Sequence, residues 1–134
     1  MKVLLLGATG NVGSRLIPAL IAHKHQVVVY VRSAPKLPST AIAQLAAVVE
    51  GDGTDSDAIK AAILKENCGA VINAAGLAAM TRWHAPSQLP DIFAAVAKAA
   101  VEVGKERGGL PLRCWFLSGF NLLDGPKEPY LLAD

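Results

Sequence analysis

The chain has 134 residues, a length that suits one ordinary domain and is too short for a cofactor domain joined to a full substrate domain. Apolar residues make up 52% and charged residues only 18%, a balance that excludes an intrinsically disordered chain. The formal net charge is only +2, no run of Lys or Arg is interleaved with aromatics, and no stretch approaches the about 20 apolar residues of a bilayer span, so neither a nucleic acid nor a membrane is an expected partner.

In chain order, the first apolar run is Val3 to Leu6, ended by Gly7 before it reaches the length of a signal-peptide core, so a cytoplasmic protein is expected. A glycine turn follows, Gly7-Ala8-Thr9-Gly10-Asn11-Val12-Gly13, and a helix is expected to begin at Ser14-Arg15-Leu16-Ile17. Pro18 falls inside that helix, where proline removes a hydrogen bond and crowds a carbonyl at a cost of about 3 kcal/mol, and it predicts a kink but no break. His23 and His25 read as surface residues in the turn before the second strand, Val27 to Val31, which ends in Arg32 and Ser33.

A third strand is predicted at Ala47 to Val49 and is followed by Gly51-Asp52-Gly53-Thr54-Asp55. The spacing of Ile59, Ala62 and Ile63 predicts a helix from Asp57 to Glu66, with Thr54 or Ser56 offering the capping oxygen. The fourth strand, Ala70 to Ile72, runs into Asn73-Ala74-Ala75-Gly76. Thr81 to Pro90, with Pro86 and Pro90, reads as a surface loop in which His84 is solvated and Met80 and Trp83 pack locally. Ile92, Val96, Ala99 and Val103 define one side of a helix from Asp91 to Arg107, with Lys98, Glu102 and Lys105 opposite, and Gly108-Gly109 and Pro111 lead to a fifth strand, Leu112 to Leu117.

Short β-branched runs of this kind suit strands buried on both faces, and parallel strands need crossovers long enough to hold a helix. The expected fold is therefore α/β, a Rossmann-like doubly wound parallel sheet of five strands in the order 3-2-1-4-5, forming one domain over residues 1–134. Cys68 and Cys114 lie far apart with no metal-ligand spacing around them, so reduced thiols and no metal site are expected.

The glycine turn carries the chemistry. Glycine admits a positive φ in the tight turn, leaves room for a pyrophosphate against bare backbone and lets the helix approach the strand, while the helix N-terminus turns unpaired N–H groups towards the phosphates. A carboxylate at the end of the second strand would take the ribose hydroxyls of NAD. Here Arg32 and Ser33 stand there instead and suit a 2′-phosphate, so NADP is expected over NAD. Arg32 also reads as an ordinary surface arginine, and Lys36 either adds positive potential or is a solvated loop lysine.

The spacing is Gly-x-x-Gly-x-x-Gly instead of the common Gly-x-Gly-x-x-Gly. With Gly7-Ala8-Thr9-Gly10 directly after a Lys-Val-Leu-Leu-Leu strand, the chain resembles the atypical and extended short-chain dehydrogenase/reductases, above all their NmrA-like and epimerase-like branches. The resemblance implies that Gly7, Thr9, Gly10, Asn11, Val12 and Gly13 hold the pyrophosphate, that Asp52 and Gly53 contact the adenine, and that Asn73, Ala74, Ala75 and Gly76 lie beneath the cofactor. Asp52 and Gly53 suit a purely local helix-capping turn equally well.

The resemblance further implies Ser118 and Tyr130 as catalytic residues, but Asp134 stands where a Lys should lower the phenol pKa. An NADP-dependent oxidoreductase or epimerase acting on a small organic substrate is the leading expectation. A non-catalytic NmrA-like regulator and a truncated fragment of a longer reductase are the alternatives. Ending at the fifth strand leaves an open sheet edge, which a missing C-terminal segment, a homodimer or a partner subunit is expected to cover.

Overall fold

The computed structural model describes residues 1–75 and 88–117. Five short strands, β1 (Lys2–Leu6), β2 (Gln26–Val31), β3 (Ala47–Glu50), β4 (Ala70–Asn73) and β5 (Arg113–Phe116), form one sheet in the order β3-β2-β1-β4-β5. Every neighbouring pair is parallel, with Leu4 opposite both Val28 and Val71. The expected fold class and strand order are those observed.

Alternation along the central strands splits the core into two layers. Leu4, Leu6, Val28, Tyr30 and Val71 point to one face, under α3 (Ser56–Lys65) and α4 (Leu89–Glu106). Leu5, Val27, Val29 and Val31 point to the other, under Ile17, Leu16 and Leu20 of α1 (Asn11–Ala22). Leu4, Leu5 and Val27 to Val29 are wholly inaccessible, and each such side chain is worth about 1.5–3 kcal/mol on burial, which is why strands this short hold their places. The pairs Lys60–Glu106 (2.6 Å) and Lys60–Glu102 (3.7 Å) tie α3 to α4 along their outer surfaces.

Several local expectations are corrected. The first helix begins at Asn11, not Ser14, so the second half of the glycine turn is its first helical turn. It runs on through Pro18, which is exposed, as is Ser14, whose carbonyl loses its helical partner. The cap of α3 is neither Thr54 nor Ser56 but Asp55, whose side chain accepts from the Ala58 N–H at 3.1 Å. Leu89 and Pro90 belong to α4, because proline is compatible with a first helical turn. His25 is half-buried, not at the surface.

Between β2 and β3 the crossover carries only a 3₁₀ turn (Ala34–Lys36) and the four-residue α2 (Ser39–Ile42), since Pro35 and Pro38 interrupt any longer helix. Beyond β5, among the described residues, an open apolar groove lies between the outer side of α4 and the sheet edge, lined by Ala97, Val101, Leu110, Cys114 and Phe116. Val101 is about half exposed there, at 58%. No helix among the described residues is long and apolar enough to cross a membrane.

Candidate functional site

Leu6 is paired with Tyr30 on one side and Asn73 on the other, so the segments leaving β1, β2 and β4 emerge together at the carboxyl end of the sheet. This end also carries the topological switch, because the chain leaves β1 for β2 on one side and later resumes with β4 on the other. Open α/β sheets form their ligand crevice at such a point.

Gly7 turns the chain with φ +78°, and a Cβ on it would lie 2.5 Å from the backbone carbon of Ala74 and the nitrogen of Ala75. The Gly10 N–H closes the turn on the Gly7 carbonyl at 3.1 Å, and Gly10 itself caps α1 in extended conformation, accepting from the Ser14 N–H at 3.0 Å. Gly13 is buried in the first turn of α1, where a Cβ would stand 1.9 Å from the Gly7 oxygen. Strand end and helix start are thus clamped backbone to backbone. Thr9, Gly10, Asn11 and Val12 form the exposed rim, where the first N–H groups of a helix have no partner within it.

The end of β4 is the floor beside this turn. Ala74 donates its N–H to the Leu6 carbonyl at 3.0 Å, and buried Asn73 accepts the Ala75 N–H on its Oδ1 at 3.2 Å. Asn73 thereby spends its side-chain oxygen on shaping the backbone under Gly7. Its carbonyl receives the Leu117 N–H at 2.9 Å, fixing β5 alongside.

On the β2 side, exposed Arg32 donates from Nη2 to the Gln88 Oε1 at 2.8 Å, and Ser33 precedes the 3₁₀ turn without capping it through its side chain. Asp52 makes the local turn its sequence allows: its Oδ1 accepts the Thr54 N–H at 2.9 Å and the Thr54 hydroxyl at 2.8 Å. Those two hydrogen bonds, with a smaller contribution from the Arg32 charge, hold the Asp52 carboxyl below the usual carboxylate range. The Tyr30 hydroxyl donates to the Asp52 carbonyl at 2.9 Å. Burial, then the charges of Asp55 and Asp52, push the Tyr30 phenol up to about 12. Gly53 faces Ile92 of α4.

The structure therefore gathers Gly7 to Gly13, Arg32, Ser33, Asp52, Gly53, Asn73, Ala74 and Ala75 at one end of the sheet. Gly76, Ser118 and Tyr130 lie outside the described residues, as do His84 and Asp134. Three residues at this end escape sequence reasoning. Glu50 brings a carboxylate from β3 to the Ala34 N–H at 2.9 Å, so an acidic group stands near the end of β2 although β2 supplies none. Its register opposite Val31 is the only signal, and register is not written in the sequence. Tyr30 is assigned to a face by alternation but not to the Asp52 turn, and Gln88 reaches Arg32 across 56 residues with no local pattern to announce it.

The bare, close-packed glycine turn, the N-terminus of α1 and the nearby guanidinium fit a dinucleotide by shape and charge. A family model described as NAD(P)H-binding matches residues 7–108. No curated protein sequence matches the chain. Among solved structures, the anaerobillin reductase ChuY of Escherichia coli O157:H7 is 25% identical with a TM-score of 0.63, covering 90% of this chain and 52% of its own. Leucoanthocyanidin reductase of Vitis vinifera in its binary complex with NADPH is 23% identical with a TM-score of 0.61, covering 78% of this chain and 33% of its own. UDP-glucose 4-epimerase of Bifidobacterium longum in complex with NAD+ and UDP is 21% identical with a TM-score of 0.69, covering 96% and 40%. The chain spans about half the length of the first of these and less of the other two.

Proposed function

This chain belongs to the NAD(P)H-binding family, and on that premise we propose that it is the NADP(H)-binding domain of a cytoplasmic oxidoreductase or epimerase of the atypical short-chain class, acting on a small organic substrate. The observation that carries the choice of NADP is Arg32. It leaves β2 at the same end of the sheet as the glycine turn, exposed, with Ser33 beside it and no carboxylate on its own strand. Two carboxylates at this end of the sheet are already engaged, Glu50 by the Ala34 N–H and Asp52 by Thr54.

In this reading the N–H groups at the start of α1 bind the pyrophosphate over Gly10, Arg32 and Ser33 take the 2′-phosphate, and the Asp52–Gly53 turn borders the adenine. Asn73, Ala74 and Ala75 present small side chains and a fixed backbone to the ribose and nicotinamide half. The nicotinamide supplies hydride exchange when bound. A guanidinium gives a phosphate two parallel, charge-assisted hydrogen bonds, which distinguishes the phosphorylated ribose from its hydroxyl counterpart.

Titration of the chain with NADPH and NADH tests this reading. NADPH is expected to bind at least about tenfold tighter, roughly 1.4 kcal/mol, and Arg32→Asp is expected to remove that preference. Equal affinities in the wild type would overturn the assignment of NADP. One sequence feature favours a second reading, a dinucleotide-binding regulator without turnover: Asp134 stands where a Lys should assist Tyr130, and a carboxylate there raises a phenol pKa instead of lowering it. Binding without oxidation of NADPH by any carbonyl substrate, together with a partner affinity that changes between NADP+ and NADPH, would select that reading.

A further inference from the structure

Gln88 has no part in the readings so far, yet it is the direct partner of the residue on which cofactor choice rests. It precedes α4 with helical backbone angles (φ −86°, ψ 0°), and its side chain caps nothing. Its amide oxygen is therefore available, and Arg32 Nη2 donates to it at 2.8 Å.

The platform from which Gln88 reaches is anchored. The Ile92 N–H donates to the Gln88 carbonyl at 2.9 Å, and Ile92 packs onto the turn after β3, where a Cβ on Gly53 would come within 3.2 Å of its Cγ1. That turn is itself fixed by Thr54 on the Asp52 carboxylate and by the Tyr30 hydroxyl on the Asp52 carbonyl. The first turn of α4 is thus seated on the adenine-side turn, and Gln88 extends from it to the end of β2.

We propose that Gln88 is a positioning residue that sets the preference for a 2′-phosphorylated dinucleotide by holding the Arg32 guanidinium in place. The proposal rests on the NADP reading above. A long, exposed arginine surrenders rotamer freedom when it fixes a phosphate, and a partner that orders it beforehand lowers that cost. A guanidinium has five N–H donors, so one bond to Gln88 leaves enough for a bidentate phosphate contact. The neutrality of the amide matters equally. It orients the cation without cancelling its charge, whereas a carboxylate in the same place would pair with Arg32 and repel the phosphate.

The test is titration of wild type, Gln88→Met and Gln88→Glu with NADPH and NADH, with thermal melting of each. Gln88→Met keeps the stem and removes the acceptor, and is expected to weaken NADPH roughly fivefold, about 1 kcal/mol. Gln88→Glu is expected to weaken NADPH more than about tenfold. In both, NADH affinity and melting temperature stay at wild-type values, and in an Arg32→Ala background neither substitution changes the NADPH to NADH ratio further. A merely structural role would instead lower both affinities and the melting temperature together. If the wild type prefers NADPH and both variants keep its ratio, the role of Gln88 is overturned and the NADP reading stands. If the wild type does not discriminate, the NADP reading falls and takes this role with it.

Discussion

Replacing Gly13 by Ala would place a methyl carbon 1.9 Å from the Gly7 oxygen, 2.6 Å from the Gly7 carbonyl carbon and 3.0 Å from the Ala8 Cα. Ordinary contact begins near 3.4 Å, and all three atoms are backbone, so relief requires lifting α1 off the end of β1. Overpacking of this kind costs about 1–3 kcal/mol and here belongs at or above the upper end, against about 1 kcal/mol regained when Ala replaces Gly within a helix. A net loss of about 2 kcal/mol is expected, which for a domain of this size lowers the melting temperature by roughly 8 °C. Gly10→Ala is the matched control. Gly10 has an ordinary extended backbone (φ −83°, ψ 177°), and its added carbon meets the Gly7 oxygen only at 3.4 Å. Only the weaker capping preference of Ala opposes it, about 1 kcal/mol or less. Its methyl stands on the exposed rim where a pyrophosphate must approach, so NADPH affinity should fall more than about tenfold with little change in melting. Circular dichroism melts and calorimetric titration of both variants separate the two effects. Equal melting temperatures for Gly13→Ala and wild type would refute the close-packing argument, and undiminished NADPH affinity in Gly10→Ala would refute the placement of the pyrophosphate.

The Tyr30 phenol, raised to about 12 in the fold, ionises near 10 when unfolded, so between those values the unfolded chain holds fewer protons than the native one. Its contribution is complete below pH 10 and is lost as pH rises towards 12. Tyr30→Phe should melt below wild type at pH 8, by about 1 kcal/mol for the lost hydrogen bond, and the gap should close by pH 11. Cys68, which burial pushes to about 11, destabilises both proteins alike, so a constant gap would count against the Tyr30 account. Asp55→Ala removes the cap of α3 and should cost about 1 kcal/mol in urea unfolding, while Thr54→Ala, whose hydroxyl serves Asp52, should leave α3 capped.

The five strands were legible because each is a short apolar run that must be buried on both faces, and the alternation of helix and strand then allowed few topologies. Arg32 was legible because it directly follows such a run. The start of α1 was not, since Asn11-Val12-Gly13 looks like loop by propensity and is made helical by the backbone contact of Gly13 with Gly7. The cap of α3 is not legible as Thr54 or Ser56, the two oxygens expected to serve it, because Asp55 between them offers a third. The fold decides between them by committing the Thr54 hydroxyl to Asp52. Tyr30, Glu50 and Gln88 join the site through strand register and a contact across the sheet end, and neither leaves a trace in local sequence.

The most direct test of the central claim is amide chemical-shift mapping of the ¹⁵N-labelled chain during addition of NADPH. The account predicts the largest shifts at the amides of Gly10, Asn11, Val12 and Gly13 and at the Arg32 side chain. Shifts confined to the apolar groove between α4 and β5, or none at millimolar NADPH, would contradict it.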